Sequence, residues 1–167
     1  MTPPPDAHPS DPASLARLPL RDLLALRNAI DQEIASRGHT RTAASLHGEL
    51  MERVVADAYE GELTPPTRRS VDVVAGDGRA IQVKVRSLPR GSTRFWQFED
   101  LDFDVAVVIA MDRDTAEIDW ARELSAAQVA EVSTTHASGK LRLPMGRARS
   151  AGHDVTARLR EAYAGLS

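Results

Sequence analysis

The sequence predicts an α/β fold in which a short mixed β-sheet is flanked by helices. Two segments in the first third of the chain carry apolar residues at the three-and-four spacing of amphipathic helices. A strand hairpin follows between Ser70 and Ser87. After it comes a continuous apolar, β-branched run from Phe103 to Met111, which is typical of a strand buried on both faces.

The composition is that of a globular protein and restricts the kind of metal it can bind. Of 167 residues, 42% are hydrophobic and 27% are charged, which fits one ordinary domain. The absence of Cys excludes disulfides and Cys-based zinc sites. Because the five His are scattered, a bound metal would have oxygen ligands, which favours Mg²⁺ or Mn²⁺. The net charge of −3 argues against a protein that coats DNA, but metal-binding carboxylates lower the charge of a nuclease.

The first residues differ in composition from the rest of the chain. "MTPPPDAHPSDPAS" is rich in Pro, so we predict a disordered tail over residues 1–14 and a single domain over residues 15–167. The tail lacks the basic and apolar regions of a signal peptide, and no apolar run approaches the ~20 residues that span a bilayer. We therefore expect a soluble, cytoplasmic protein without a membrane partner.

Two helices are predicted before the hairpin. "LPLRDLLALRNAIDQEIASRG" has Leu and Ile on one stripe, with Pro19 suited to the first turn and Gly38 to the C-terminal end. "RTAASLHGELMERVVADAYEGEL" predicts a second helix, roughly Ala43 to Tyr59. Its buried side is predicted to hold Leu46, Leu50, Val54 and Ala58, with Met51 and Val55 beside them.

The segments after the hairpin alternate between turns and short elements. "LPRGSTRFWQFEDLD" is predicted to be a turn-rich connection with a compact aromatic cluster, Phe95, Trp96 and Phe98. We favour packing over the sheet, or a dimer contact, over base stacking for this cluster. "AEIDWA" predicts a neighbouring strand, Ser125 with Gln128 forms a capping box, and "GKLRLP" predicts a weaker strand. Asp154 is a predicted N-cap for a final helix, Val155 to Ala164.

The hairpin carries polar residues with a chemistry of their own. In "SVDVVAGDGRAIQVKVRS", apolar and polar residues alternate along the second strand, so Gln82, Lys84 and Arg86 share one face. The Asp72 carboxylate and the Gln82 amide oxygen are hard donors that can hold Mg²⁺ and leave room for water and a phosphate oxygen. Lys84 can orient or deprotonate that water, or stabilise charge in the transition state. The alternative is an ordinary solvated face of a sheet.

The turn of the hairpin decides whether Asp72 can join this face. A two-residue turn at Asp77-Gly78 would pair Asp72 with Val83, on the face opposite Gln82. The glycines on either side of Asp77 permit a three-residue loop or a bulge, which shifts the register by one. We therefore predict a bulged hairpin, an odd-numbered loop, or a distorted strand start at Asp72.

A third acidic ligand is expected from the preceding helix. "HGELMER" offers Glu49 and Glu52, three residues apart and thus able to face the same sheet edge. We favour Glu49 because it adjoins the buried stripe, where a carboxylate needs a partner. The alternative for Glu49 is a surface ion pair with Arg53.

A helix Glu followed by Asp, a turn and Gln-x-Lys resembles the PD-(D/E)xK phosphodiesterase superfamily of restriction-endonuclease-like nucleases. The Gln variant resembles the Mrr-type branch, and "RTAASLHGELMERVV", "DFDVAVVIA" and "HDVT" resemble a group of small uncharacterised bacterial proteins placed in that superfamily. The chain departs from the usual pattern in lacking a Pro before the Asp. The resemblance implies a restriction-endonuclease-like core with four catalytic residues, Asp72, Gln82, Lys84 and Glu49. Of these, it implies that Asp72, Gln82 and Glu49 bind the metal.

These features predict a metal-dependent phosphodiesterase that acts on nucleic acid, with DNA as the favoured substrate. Arg86, Arg90 and Arg94 follow the site and could hold phosphates, although a solvated basic loop is the alternative. Two other hypotheses stay open: a nuclease-fold binding module without catalysis, and a partner subunit of a larger complex. A homodimer would allow two sites to address two strands.

Overall fold

A computed structural model describes residues 11–38, 46–65 and 67–166. The chain divides into two compact units, Met1–Arg41 and Thr42–Ser167. The described residues 11–38 belong to the first unit, and the sheet belongs to the second. A single domain over residues 15–167 stays a prediction. None of the helices in the described ranges is long and apolar enough to cross a membrane.

The first unit contains two helices, α1 (Pro12–Leu15) and α2 (Leu20–Ser36). Most of the predicted tail lies outside the described residues, but α1 begins within it because Asp11 caps the helix and Pro12 suits its first turn. The predicted first helix is confirmed as α2, with Pro19 before it and Gly38, at φ 76°, after it. No residue of α2 is buried, so its apolar stripe contributes no core.

The second unit contains the sheet and its flanking helices. In chain order its elements are α3 (Leu46–Ala58), β1 (Glu62–Leu63), β2 (Val73–Val74), β3 (Ala80–Leu88), β4 (Phe95–Phe98), β5 (Val105–Asp112), β6 (Ile118–Ser125), α4 (Ala126–Val132), β7 (Thr134–Thr135), β8 (Leu141–Pro144), α5 (Met145–Arg149), β9 (His153–Asp154) and α6 (Thr156–Ala164). A six-stranded sheet has the order β1-β2-β3-β5-β6-β9. Strands β3 and β5 are parallel and the other neighbours are antiparallel, so the predicted mixed sheet is confirmed.

Strand β5 is buried along its whole length and separates two cores. Residues Val105, Val107 and Ile109 face one core, which α3 and α6 cover with side chains that include Met51 and Leu159. Ala106, Val108 and Ala110 face the other core, because side chains alternate along a strand. The prediction of a strand buried on both faces is confirmed.

A second, three-stranded sheet with the order β4-β8-β7 covers the other face of β5. The "GKLRLP" strand is confirmed as β8, but the segment read as a turn-rich connection contains strand β4. Trp96 and Phe98 are buried in the core, and the Trp96 ring meets that of Trp120 edge-on with centroids 5.5 Å apart. Packing, the interpretation we favoured for these two rings, is confirmed.

Helices α3, α4 and α6 were predicted and differ from the prediction in detail, whereas the short helix α5 was not predicted. The described part of the second predicted helix is α3, and its buried residues are Met51, Val54, Val55 and Ala56. Of the predicted stripe, Leu46, Leu50 and Ala58 are only half-buried. The capping box of Ser125 and Gln128 is confirmed at the start of α4. Asp154 lies in β9, and its Oδ1 accepts a hydrogen bond of 2.9 Å from the Thr156 N–H at the start of α6.

Candidate functional site

The β2–β3 hairpin has the odd-numbered loop that the site requires. Val73 pairs with Ile81, and the Ala75 N–H donates to the Arg79 carbonyl at 2.9 Å, which leaves a loop of residues 76–78. Gly78 has φ 88°, a left-handed conformation that glycine adopts without strain. The prediction of an odd-numbered loop is confirmed.

Asp72 immediately precedes β2, where the pairing with β3 becomes irregular. Its backbone N–H donates to the Ile81 carbonyl at 2.9 Å, and its Oδ2 accepts a hydrogen bond of 2.7 Å from the Val83 N–H. The carboxylate thus takes the place of a strand carbonyl, which satisfies a backbone donor that the short β2 leaves open. This bond brings the Asp72 carboxylate to β3 at the residue between Gln82 and Lys84.

Gln82 is a buried amide with an unsatisfied acceptor. Only 7% of the residue is exposed, and its Oε1 has no hydrogen-bond partner among the described residues. A buried polar atom without a partner costs about 1–3 kcal/mol, so such atoms are uncommon in folded proteins. Gln82 is therefore not part of a solvated sheet face, and its oxygen is a buried acceptor without a partner among the described residues.

Gln82 and Lys84 line an open cleft with a volume of about 550 Å³. Strand β3 forms one wall, and β4, at the edge of the second sheet, forms another. The lining residues are Arg69, Ser70, Gln82, Lys84, Gln97, Glu99 and Lys140. Long-range packing therefore joins the two predicted residues to five that were not predicted.

The cleft contains three cationic side chains, Arg69, Lys84 and Lys140. The Lys84 Nζ lies 5.5 Å from the centre of the Phe98 ring, and the Lys140 Nζ lies 2.7 Å from the Glu99 Oε1. The Lys140 hydrogen bond lowers the pKa of Glu99 most, and the charges of Arg69 and Lys84 lower it further. Glu99 therefore stays ionised beside these cations at neutral pH.

A second carboxylate, Asp100, lies at the border of the cleft. Ser70 Oγ donates a hydrogen bond of 2.7 Å to the Asp100 Oδ2. This bond and the Asp102 backbone N–H lower the pKa of Asp100, with smaller contributions from the charges of Lys84 and Arg69. Asp100 thus has its main hydrogen-bond donors in the loops, whereas Glu99 lines the cleft itself.

Glu49 lies in the first turn of α3 and is half-buried. Helix α3 packs on the face of the sheet opposite Gln82 and Lys84, and the described lining of the cleft includes neither Glu49 nor Asp72. The described residues contain no group of three or more His, Cys, Asp or Glu side chains that could hold a metal. The participation of Glu49 as a metal ligand stays a prediction.

The three arginines selected as phosphate contacts lie outside the described lining of the cleft. Arg86 is exposed on β3, and Arg90 forms an ion pair of 3.2 Å with Asp112 beside a separate cavity of about 160 Å³. Arg94 is exposed, and its backbone carbonyl accepts a hydrogen bond from Met145. The cations that do line the cleft are spread along the chain from Arg69 to Lys140, so no local pattern could have selected them together.

The cleft combines a buried amide oxygen, the Glu99 carboxylate and three cations, and the Asp72 carboxylate contacts β3 beside it. The three cations suit an anionic ligand. No protein-family model matches the sequence, and no curated protein matches it either. The function is therefore inferred from the residues of the cleft.

Proposed function

We propose that the protein is a metal-dependent phosphodiesterase that cleaves nucleic acid, with DNA as the favoured substrate. The observation that carries this proposal is the buried Gln82 Oε1, which has no partner among the described residues and lies on the same strand face as Lys84. The Asp72 carboxylate reaches the strand between these two residues. In a strand with only a structural role, an unsatisfied buried amide oxygen beside a carboxylate and a lysine would cost stability without any compensating function.

The residues present fit a hard divalent cation. Asp72 and Gln82 would hold Mg²⁺ or Mn²⁺ through one carboxylate and one amide oxygen, and Glu49 is the candidate for a third protein ligand. Such a cation, when bound, polarises a phosphoryl oxygen and lowers the pKa of a water molecule. The unsatisfied Gln82 Oε1 supports this assignment because a cation would replace the hydrogen bond that the oxygen lacks.

The remaining chemistry belongs to the side chains of the cleft. Lys84 is half-buried, and its position beside the Phe98 ring restrains the side chain. Its ammonium group would orient the attacking water or neutralise charge that develops on the phosphate. Arg69 and Lys140 would contact phosphates next to the one that reacts, which positions the strand without reading its sequence.

A second function is favoured by a separate observation on α2. Leu20, Leu24 and Ile30 of this helix are 73%, 52% and 50% exposed. An amphipathic helix with its apolar stripe exposed is typical of a protein–protein contact. The alternative proposal is therefore a nuclease-fold binding module or a partner subunit, and a homodimer through α2 is compatible with either function. A cytoplasmic location, expected from the sequence, is part of the proposal.

The proposed activity is tested with plasmid and single-stranded DNA in the presence of Mg²⁺ or Mn²⁺. We expect metal-dependent cleavage, and a loss of about 100-fold or more in Lys84→Ala, because general acid–base and charge-stabilising groups contribute on this scale. Arg113→Ala is the matched control, since Arg113 is an exposed cation in a turn outside the cleft. It should cleave like the wild type.

Two results would contradict the proposal. Metal-dependent cleavage that survives in Lys84→Ala would place the activity at another site. A folded protein that cleaves neither DNA substrate would favour the binding or partner role instead.

A further inference from the structure

Glu99 is the carboxylate that lines the cleft, and it contacts one of the three cations there. Its Oε1 lies 2.7 Å from the Lys140 Nζ, and Arg69 and Lys84 line the same cleft. The Glu99 side chain is 66% exposed and the Lys140 side chain is 40% exposed. The ion pair therefore lies at the open side of the cleft, where a substrate would enter.

We propose that Arg69, Lys84 and Lys140 form a binding site for a nucleic-acid phosphate, and that the Glu99 carboxylate occupies this site until the phosphate displaces it. The inference rests on the proposed function insofar as the phosphate belongs to nucleic acid. It concerns binding, which is separable from cleavage. Glu99 then sets the affinity of the cleft by competing with the substrate.

The exchange is chemically reasonable because a carboxylate and a phosphodiester both present anionic oxygens to the same donors. A distance of 2.7 Å is that of a charge-assisted hydrogen bond, which a phosphate oxygen can reproduce. Exposed ion pairs are only weakly held, so a phosphate can separate Glu99 from Lys140. The lowered pKa of Glu99 keeps the competitor charged at neutral pH.

The neighbouring carboxylate does not have the same role. Asp100 accepts a hydrogen bond from Ser70 Oγ, and the backbone N–H of Asp102 donates to its other oxygen. These contacts hold Asp100 in the loop, whereas the Glu99 contact is with a cation of the cleft. Removing the charge of Glu99 should therefore free the cations without disturbing the loop.

The test is a binding measurement without cleavage. Fluorescence anisotropy with a labelled DNA oligonucleotide, as a single strand and as a duplex, is carried out in EDTA over a salt series. Glu99→Gln should bind at least one of the two forms about fivefold more tightly than the wild type, the factor expected from one unit charge near 4 Å in water. The matched control is Glu131→Gln, which removes the same charge from an exposed position on α4 and should change the affinity little.

The cations supply a second readout. Lys140→Gln and Arg69→Gln should each weaken binding and reduce the slope of log K against log salt by about one, as expected for one phosphate contact each. Equal affinities of Glu99→Gln and Glu131→Gln would overturn the proposal, as would failure of all variants to bind either form of DNA. Weaker binding of Glu99→Gln than of the wild type in EDTA would also overturn it, because the carboxylate would then hold the cations in place for the phosphate instead of competing with it.

The outcomes separate this inference from the proposed activity. Tighter binding by Glu99→Gln in a protein that never cleaves DNA would support the phosphate site and contradict the nuclease. If the wild type cleaves DNA with metal but Glu99→Gln binds DNA no more tightly than the wild type, the nuclease is supported and the phosphate site is contradicted.

Discussion

The substitution Gln82→Met tests whether the buried amide oxygen of Gln82 destabilises the metal-free protein and binds a metal ion. Methionine is unbranched and close to glutamine in length, so it fills the same space without a strong hydrogen-bonding group. Gln82 is 7% exposed and its Oε1 has no partner among the described residues. Removing an unsatisfied buried acceptor should stabilise the metal-free protein.

The magnitude follows from the cost of one unsatisfied acceptor, about 1–3 kcal/mol. Part of the gain is lost because methionine does not reproduce the shape of the amide, so we expect the free energy of unfolding to rise by about 1–2 kcal/mol. For a domain of this size, about 1 kcal/mol corresponds to a shift in Tm of about 4 °C. The loss of a metal ligand should abolish cleavage in the same variant.

Urea denaturation in EDTA measures the difference. Gln97→Met is the matched control, because Gln97 lines the same cleft but is only half-buried, and its stability should change little. Lower stability of Gln82→Met in EDTA would refute the reasoning, since the amide oxygen must then have a partner in solution.

Adding Mg²⁺ gives an independent comparison of the same two proteins. A ligand at one hundred times its Kd stabilises the native state by about 2.7 kcal/mol, and only the wild type should gain this amount. The difference in the free energy of unfolding between Gln82→Met and the wild type should therefore narrow or reverse when Mg²⁺ is added. Equal stabilisation of wild type and Gln82→Met by Mg²⁺ would exclude Gln82 as a ligand.

Two further predictions concern the tyrosine network and a glycine of the second unit. Burial raises the pKa of Tyr59 most, and the hydrogen bond to Glu123 raises it further. Because the folded pKa is higher than the unfolded one, the neutral phenol stabilises the fold fully below about pH 10. This stabilisation is lost as the pH rises through the folded pKa. In a Tyr163→Phe background, phenolate absorbance should appear at lower pH in Glu123→Gln than with Glu123 intact; an unchanged titration would contradict the role of that bond. Gly152→Ala should cost about 3 kcal/mol or more, because the new Cβ would lie 2.1 Å from the Glu123 carbonyl oxygen. Gly139 has a similar positive φ, but no atom lies within 4 Å of the new Cβ, so Gly139→Ala should cost only about 1 kcal/mol. Thermal denaturation measures both variants, and equal losses of stability would refute the steric argument.

Several features of the fold were predictable because they depend on neighbouring residues alone. The capping box of Ser125 and Gln128 spans one helical turn, and Pro19 and Gly38 mark the two ends of α2. The period of two along β3 puts Gln82 and Lys84 on one face in any sheet that contains this strand. The glycines on either side of Asp77 permitted an odd-numbered loop, which was one of the predicted alternatives and is the one observed.

Other features depend on contacts between distant segments and could not be read from local patterns. Strand β4 pairs with β8 far along the chain, and this pairing brings Glu99 and Lys140 to the cleft. The apolar residues of α2 have the spacing of an amphipathic stripe, yet none of them is buried.

The difference has one physical cause. Side chains repeat their direction every two residues in a strand and every three to four residues in a helix. The alternation along β3 and the ends of α2 are therefore determined by residues only a few positions apart. Which surfaces meet is decided by the packing of the whole chain, where many weak contacts compete. The sequence alone therefore determined the strand that carries Gln82 and Lys84, whereas only the tertiary structure decided that Arg69, Glu99 and Lys140 would complete the cleft around them.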